Sequence, residues 1–256
     1  MWSDKYQTYH PEDDYKRVLE MRAQCSWPIS YGLVTRLAQR NQAKMLLEVG
    51  VAYGYHAHYL LETLPQITYI GVDPYLANYD LSDPFVIDVQ RLFVRQLPSL
   101  SILMKSAEFI DKKISQFRGH PSTIVQRGIS LLPEAQQAMD RLHDSVSWHL
   151  AQFQQARIVR QKSVEAASSF ANHSFDLIYI DGDHTYEGLL ADINAWWDKV
   201  NHQTGIICGD DFSWPEVKKA CDVFFQQKGL KYSLLAKPNR ADFPIWYFDF
   251  SQPMSA

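Results

Sequence analysis

Short apolar runs alternate with longer stretches of helical spacing along this chain. Three of the runs, 44–50, 66–73 and 174–181, are closed by glycine or aspartate, which is typical of strands buried on both faces. The first two enclose a glycine-containing turn and a helical stretch, and together these form a strand–turn–helix–strand unit. Such a unit predicts the beginning of a doubly wound parallel sheet.

The same alternation resumes after residue 156 and completes the predicted sheet. "ARIVRQKSVEAASSF" predicts a strand and a helix, and "TGIICGDDF" predicts a strand that ends in two aspartates. "KYSLLAK" and "FPIWYFDF" predict a final antiparallel hairpin at the sheet edge. We therefore expect an α/β fold: a Rossmann-like, doubly wound, mostly parallel sheet of seven strands with an antiparallel last strand.

Two helical stretches do not fit the alternation. Residues 1–40 predict an N-terminal helical segment of two helices, and 76–156 is mostly helical by pattern. About eighty residues between two strands far exceeds the usual connection length. We expect one domain over 1–256 with a helical insertion at about 76–156, either a lid or a dimerisation arm that would make the protein a homo-oligomer.

Composition and charge narrow the class of protein. The net charge is −4 with both signs interspersed, which argues against nucleic-acid and membrane-surface partners. No apolar run approaches the length of a membrane span, and the polar start lacks the layout of a secretion signal. Cys25, Cys208 and Cys221 show no metal-like spacing. A cytoplasmic location is expected.

The turn after the first strand carries the first candidate site. Gly50 and Gly54 allow tight turning and close approach to a ligand, although many strand-to-helix turns contain glycine for local reasons. Asp73 ends the second strand, where an acidic side chain can accept both hydroxyls of a ribose. The spacing is not G-x-G-x-x-G, and with Glu48 in the strand the loop suits a ribose-bearing cationic ligand better than a dinucleotide.

Carboxylates at two other strand ends form the second candidate site. Asp181 follows one predicted strand, and Asp210 with Asp211 follows its expected neighbour, so the three should converge. Clustered like charges are costly, and a hard divalent cation is the usual compensation. Helix capping by Asp183 or Asp211 is the simpler alternative, but it does not explain the pairing of the two turns.

Two further residues in corresponding loops are candidates. His184, three residues after Asp181, can act as a general base because its ordinary pKa is near neutrality, and Asp183 is the competing base. Ser163 could contact a nucleobase edge through its side chain or backbone, or could serve only as a helix N-cap.

These motifs resemble those of a known superfamily. "LLEVGVAYGYHA" with "YIGVDPY" is similar to the cofactor-binding segment of class I S-adenosylmethionine-dependent methyltransferases. "FDLIYIDGDHTYEGLLADINAWW", with the later "GIICGDDF", resembles metal-dependent O-methyltransferases of the macrocin type (methyltransferase family 24) and, more distantly, the catechol and caffeoyl-CoA enzymes. The resemblance covers about 44–75 and 157–250 but neither 1–40 nor 76–156.

The resemblance implies specific roles for the candidate residues. The cofactor S-adenosylmethionine would lie against Glu48, Gly50, Ala52, Gly54, Asp73, Ser163 and Asp181, with Asp73 on the ribose and Ser163 near the adenine. Mg²⁺ would be held by Asp181, Asp210 and Asp211, with His184, or Asp183 in some relatives, as the base.

The activity that this implies is methyl transfer to a hydroxyl of a small molecule, such as a sugar, polyketide or phenol. Two alternatives remain: a nicotinamide-dependent oxidoreductase, and a catalytically silent protein that binds S-adenosylmethionine as a regulator.

Overall fold

A computed structural model describes residues 10–23, 30–79, 84–237 and 240–252. The helices are α1 (Pro11–Ala23), α2 (Ser30–Arg40), α3 (Tyr55–Thr63), α4 (Phe85–Phe93), α5 (Pro98–Arg118), α6 (Ile124–Ile129), α7 (Pro133–Leu150), α8 (Ser163–Ala167), α9 (Tyr186–Trp197) and α10 (Pro215–Gln227). The strands are β1 (Met45–Val49), β2 (Thr68–Val72), β3 (Ala156–Val159), β4 (Leu177–Ile180), β5 (Ile206–Gly209), β6 (Ser233–Lys237) and β7 (Arg240–Asp249).

The strands form one seven-stranded sheet in the order β3-β2-β1-β4-β5-β7-β6. The pairs among β1 to β5 are parallel, whereas β7 is antiparallel to both β5 and β6. This arrangement is the Rossmann-like fold of class I methyltransferases, and it confirms the fold class predicted from the sequence. Because β1, β4 and β5 are neighbours and parallel, their carboxyl ends meet at one edge of the sheet.

The described residues divide into two compact units. One contains α1 together with Tyr75–His149, and the other contains α2, the whole sheet and the helices α3, α8, α9 and α10. The predicted N-terminal helical segment therefore contributes one helix to each unit; the predicted helical parts at 1–9 and 24–29 lie outside the described residues.

The region 76–156, predicted to be mostly helical, contains the helices α4 to α7. The two patterns recognised in the sequence are α4 and α7, and between them α5 runs from Pro98, which occupies the first turn, to a left-handed Gly119. Buried Asp111 of α5 accepts hydrogen bonds from the backbone N–H groups of Val125 and Gln126 and so holds the start of α6. Whether this region acts as a lid or a dimerisation arm stays a prediction.

The two faces of the sheet differ in chemistry because side chains alternate along each strand. One face carries apolar side chains, among them Leu47, Ile178 and Ile207, which pack in a single cluster with residues of α9 and α10. The opposite face carries buried polar side chains at Glu48 and Tyr179, which lie directly across from each other in the β1–β4 register. None of the described helices is long and apolar enough to cross a membrane.

Candidate active site

The turn after β1 is built from left-handed backbone. Gly50 (φ 88°), Ala52 (φ 47°) and Gly54 (φ 71°) all adopt positive φ values, and Gly54 leads directly into α3. A Cβ atom at Gly50 would lie 2.0 Å from the carbonyl oxygen of Asp181. Glycine is therefore required at residue 50 both for its conformation and for the close packing of the β1 turn against the β4 turn.

Asp73 supports this loop from the end of β2. One oxygen of its buried carboxylate accepts hydrogen bonds from the backbone N–H groups of Val51, at 3.0 Å, and Ala52, at 2.9 Å. The predicted ribose-binding carboxylate thus stands at the glycine loop, and it fixes the loop backbone through its Oδ2 atom.

Glu48 is enclosed rather than open to a ligand. Its Oε1 lies 2.9 Å from Nδ1 of His56, and its Oε2 accepts a hydrogen bond from the phenol of Tyr69. Gly71 lies opposite Glu48, and a Cβ there would meet the Tyr69 hydroxyl at 2.8 Å. The carboxylate is therefore matched by two side-chain partners within the protein.

Three side chains from two turns come together at the ends of β4 and β5. Ligand atoms of Asp181, His184 and Asp211 all lie within 4.8 Å of one another. Nε2 of His184 is 3.4 Å from Oδ1 of Asp181 and 3.0 Å from Oδ2 of Asp211. Neither contact has the alignment of a hydrogen bond, so both are charge–charge contacts around a buried nitrogen. We call these three residues the carboxylate–histidine cluster.

The electrostatics of the cluster favour positive charge. Burial lowers the pKa of His184, but its contacts with Asp181 and Asp211 outweigh burial and raise the pKa from 6.5 to about 11. The imidazole is therefore protonated at neutral pH and stands where a cation would balance the carboxylates. This donor set of two carboxylates and one imidazole also fits a divalent metal ion.

Asp210 lies deeper than the cluster. Its Oδ1 accepts a hydrogen bond from the backbone N–H of Asp211, which has a left-handed φ of 51°. Its Oδ2 accepts from the hydroxyl of Tyr179 at 3.1 Å, and the same hydroxyl lies 3.2 Å from Oδ2 of Asp181. Burial, followed by the charges of Asp181 and Asp211, raises the pKa of Asp210 to about 6. Tyr179 therefore connects the two acidic turns.

Asp183 and Ser163 lie apart from the cluster. Asp183 accepts a hydrogen bond from the backbone N–H of Thr185 and packs against Gly188 in the first turn of α9, so its position favours His184 as the candidate base.

The buried hydroxyl of Ser163 accepts a hydrogen bond from Nε1 of Trp196 at 2.8 Å and donates one to Asp192. Burial raises the pKa of Asp192 to about 7. Lys162, not Ser163, is the N-cap residue of α8.

Sequence reasoning did not single out His56, Tyr179 or Asp192. His56 and Asp192 lie in helical patterns and Tyr179 in an apolar strand, where each would be expected to pack without a polar role. The signal that could have identified Tyr179 is its position two residues before Asp181, because residues at that spacing project from the same face of a strand.

Residues 47–212 match a family model described as a methyltransferase domain, Methyltransf_24. The chain belongs to this family of S-adenosylmethionine-dependent methyltransferases. The match begins in β1 and ends two residues after Asp210, so it includes the glycine loop and both acidic turns. Membership makes the chain a methyltransferase dependent on S-adenosylmethionine rather than a nicotinamide-dependent oxidoreductase.

Solved structures show the same fold at low sequence identity. A Staphylococcus aureus protein assigned provisionally as a caffeoyl-CoA O-methyltransferase is 12% identical, with a TM-score of 0.52 over 96% of this chain and 94% of its own. Cofactor-bound Rv0187 from MTB is 12% identical (TM-score 0.50; 97% and 93% covered). S-adenosylhomocysteine-bound PaMTH1, a methyltransferase from Podospora anserina, is 10% identical (TM-score 0.50; 93% and 86% covered). No curated protein matches the chain.

Proposed function

We propose that this methyltransferase is a metal-dependent O-methyltransferase that acts on a hydroxyl of a small molecule such as a sugar, polyketide or phenol. The observation that carries the proposal is the carboxylate–histidine cluster, because the turn that carries its Asp181 packs against Gly50 of the glycine loop. A cation site and a cofactor loop are thereby held together by backbone contact. An oxygen acceptor is the substrate that this pairing serves best, because a hard cation binds oxygen ligands.

The residues assigned to the cofactor are Glu48, Gly50, Ala52, Gly54, Asp73, Ser163 and Asp181. The left-handed loop allows its backbone to approach a ligand closely, and the carboxylate of Asp73, whose Oδ2 holds the loop, would accept the ribose hydroxyls. Glu48 acts from behind the loop, because its oxygens are already bonded to His56 and Tyr69.

The residues assigned to Mg²⁺ are Asp181, Asp210 and Asp211, with His184 beside them. The fit rests on the donor set: carboxylate oxygens of Asp181 and Asp211 lie within 4.8 Å of each other, and the Tyr179 hydroxyl links Asp210 to Asp181. When bound, the cofactor supplies an electrophilic methyl group and the cation lowers the pKa of an acceptor hydroxyl.

His184 is assigned as the base that takes the acceptor proton, at Nε2. A protonated imidazole cannot accept a proton, and without a metal the pKa of about 11 keeps His184 charged. A cation among the same carboxylates would repel the imidazolium and favour the neutral form. The cluster would then contain a base only when it is loaded, which couples metal binding to proton transfer.

The test measures methyl transfer from labelled S-adenosylmethionine to a panel of phenolic and sugar hydroxyls, with Mg²⁺ or with a chelator. We expect activity only with Mg²⁺, and a loss of at least about 100-fold in the double variant Asp210→Ala, Asp211→Ala. Binding of S-adenosylhomocysteine, followed by thermal shift, should be largely retained because the glycine loop is unchanged.

Glu187→Ala is the matched control. Glu187 is an exposed acidic residue in the first turn of α9, six residues after Asp181. It should retain wild-type activity. Full activity of the double variant in chelator would show that the metal mechanism is wrong, and stabilisation by NAD instead of S-adenosylhomocysteine would contradict the cofactor assignment.

A further inference from the structure

The phenol of Tyr179 lies between the two acidic turns. Its hydroxyl is 3.2 Å from Oδ2 of Asp181 and 3.1 Å from Oδ2 of Asp210, and the residue is fully buried. A buried hydroxyl is costly unless it is hydrogen-bonded, and carboxylates are the strongest acceptors available to it. This side chain therefore contacts a carboxylate from each turn.

The sheet register explains why one tyrosine reaches both carboxylates. Tyr179 and Asp181 are two residues apart and project from the same face, and Tyr179 lies opposite Cys208 of β5, two residues before Asp210. The ring is held in place by an edge-to-face contact with His56, whose ring centroid is 4.8 Å away. The hydroxyl therefore has a fixed position beneath the strand ends.

The fixed hydroxyl of Tyr179 determines the orientation of each carboxylate group. The terminal torsion of an aspartate is broad, so an aspartate without partners would not present a defined oxygen. With Oδ2 of Asp181 at Tyr179, its Oδ1 is the oxygen that faces His184. With Oδ2 of Asp210 at Tyr179, its Oδ1 holds the backbone N–H of Asp211, which positions that residue in the cluster.

We propose that Tyr179 is a positioning residue for metal binding: its hydroxyl fixes the carboxylates of Asp181 and Asp210 so that the two acidic turns present a preformed cation site. The inference rests on the metal-dependent function proposed above. A phenol has one proton and cannot donate it fully to two carboxylates at once. The pair therefore keeps a surplus of negative charge that a cation relieves.

The test replaces only the hydroxyl, in Tyr179→Phe, and measures binding of Mg²⁺ and of S-adenosylhomocysteine separately by calorimetry on the full chain. We expect the Kd for Mg²⁺ to rise roughly tenfold, because partners that orient metal ligands typically contribute this much to affinity. The Kd for S-adenosylhomocysteine should rise much less, because Asp181 is the one residue assigned to the cofactor that accepts a hydrogen bond from this hydroxyl among the described contacts. A general structural defect would weaken both ligands equally.

Tyr232→Phe is the matched control. It removes a tyrosine–carboxylate hydrogen bond to Asp222 on α10, outside the two acidic turns, and should leave the Mg²⁺ affinity at the wild-type value. Equal Mg²⁺ affinity of the wild type and Tyr179→Phe would overturn the role of Tyr179 alone. Absence of Mg²⁺ binding by the wild type would overturn the proposed metal function as well.

A crystal structure of the wild-type protein with Mg²⁺ tests the same point should Tyr179→Phe not fold. The Tyr179 hydroxyl is expected within hydrogen-bond distance of both carboxylates, each of which also faces the ion. A phenol that has left both carboxylates in the loaded site would contradict the inference.

Discussion

The glycine loop and the two acidic turns lie at the same edge of the sheet, yet they balance their charges differently. At the glycine loop, Asp73 accepts two backbone N–H groups, and Glu48 is matched by His56 and Tyr69. At the acidic turns, the described residues offer three carboxylates one imidazole, one phenol, one backbone N–H and the side chain of Ser30. The first region is internally matched, whereas the second has an excess of acceptors.

This difference separates acidic residues that stabilise the fold from those that are available to bind a cation. The number of donors at a single carboxylate does not make the distinction, because Glu48 and Asp210 each accept from at least two. What distinguishes them is that the Tyr179 hydroxyl at Asp210 is shared with a second carboxylate, Asp181. An excess of carboxylates over donors indicates a cation site, and a matched set indicates a scaffold that shapes a loop.

The largest expected effect comes from Gly50→Ala, which acts on both regions at once. The new Cβ would overlap the Asp181 backbone, and φ is 88°, so the β1 and β4 turns must separate. We expect the free energy of unfolding to fall by about 3–5 kcal/mol, measured by urea denaturation.

Gly119→Ala is the control for backbone strain, because Gly119 also has positive φ (75°) but no atom within 4 Å of a Cβ. It should cost only about 1 kcal/mol. Equal losses in the two variants would show that the turns are not held together by the contact at Gly50.

A smaller effect is expected from His184→Gln, and it should depend on pH. The folded-state pKa of His184, about 11, lies above the ordinary value of 6.5. Its stabilising contribution is therefore fully present below pH 6.5 and is lost as the pH rises towards 11. In chelator, the difference in unfolding free energy between wild type and variant should shrink by at most about 1.4 kcal/mol per pH unit between pH 7 and 10.

Denaturant titrations at several pH values measure this difference. A difference that stays constant, or that grows with pH, would contradict the interpretation of His184 as the cation that balances Asp181 and Asp211.

The smallest of the three effects concerns Asp73→Asn. The amide oxygen can still accept from the loop N–H groups, but the charge available to ribose hydroxyls is gone. We expect the Kd for S-adenosylhomocysteine to rise roughly tenfold, with the Kd for Mg²⁺ unchanged.

Asp176→Asn is the control, because the carboxylate of Asp176 likewise accepts two backbone N–H groups, from Lys44 and Met45 at the start of β1. It should cost similar stability without affecting either ligand. If Asp73→Asn weakened Mg²⁺ as much as S-adenosylhomocysteine, the two regions would not be separable as described.

Much of the fold follows from local pattern. Apolar runs closed by glycine or aspartate identified the strands, because a strand covered on both faces is mostly apolar and its end must turn. The convergence of Asp181 with Asp210 and Asp211 was predictable for the same reason, since neighbouring parallel strands end at one edge. The internal division of 76–156 was not, because α5 and α6 have no strand between them to mark where one ends.

The candidate site, like the fold, could be predicted from the sequence only in part. The sequence by itself determined that acidic groups follow β4 and β5 and that glycine follows β1, since these depend on position along a strand. Only the tertiary structure decided that the Ser163 hydroxyl is taken by Trp196, that Glu48 is matched by His56, and that Tyr179 joins the two acidic turns. The physical reason is that a hydrogen bond depends on where side chains from different elements meet, and that position is fixed only when the elements pack.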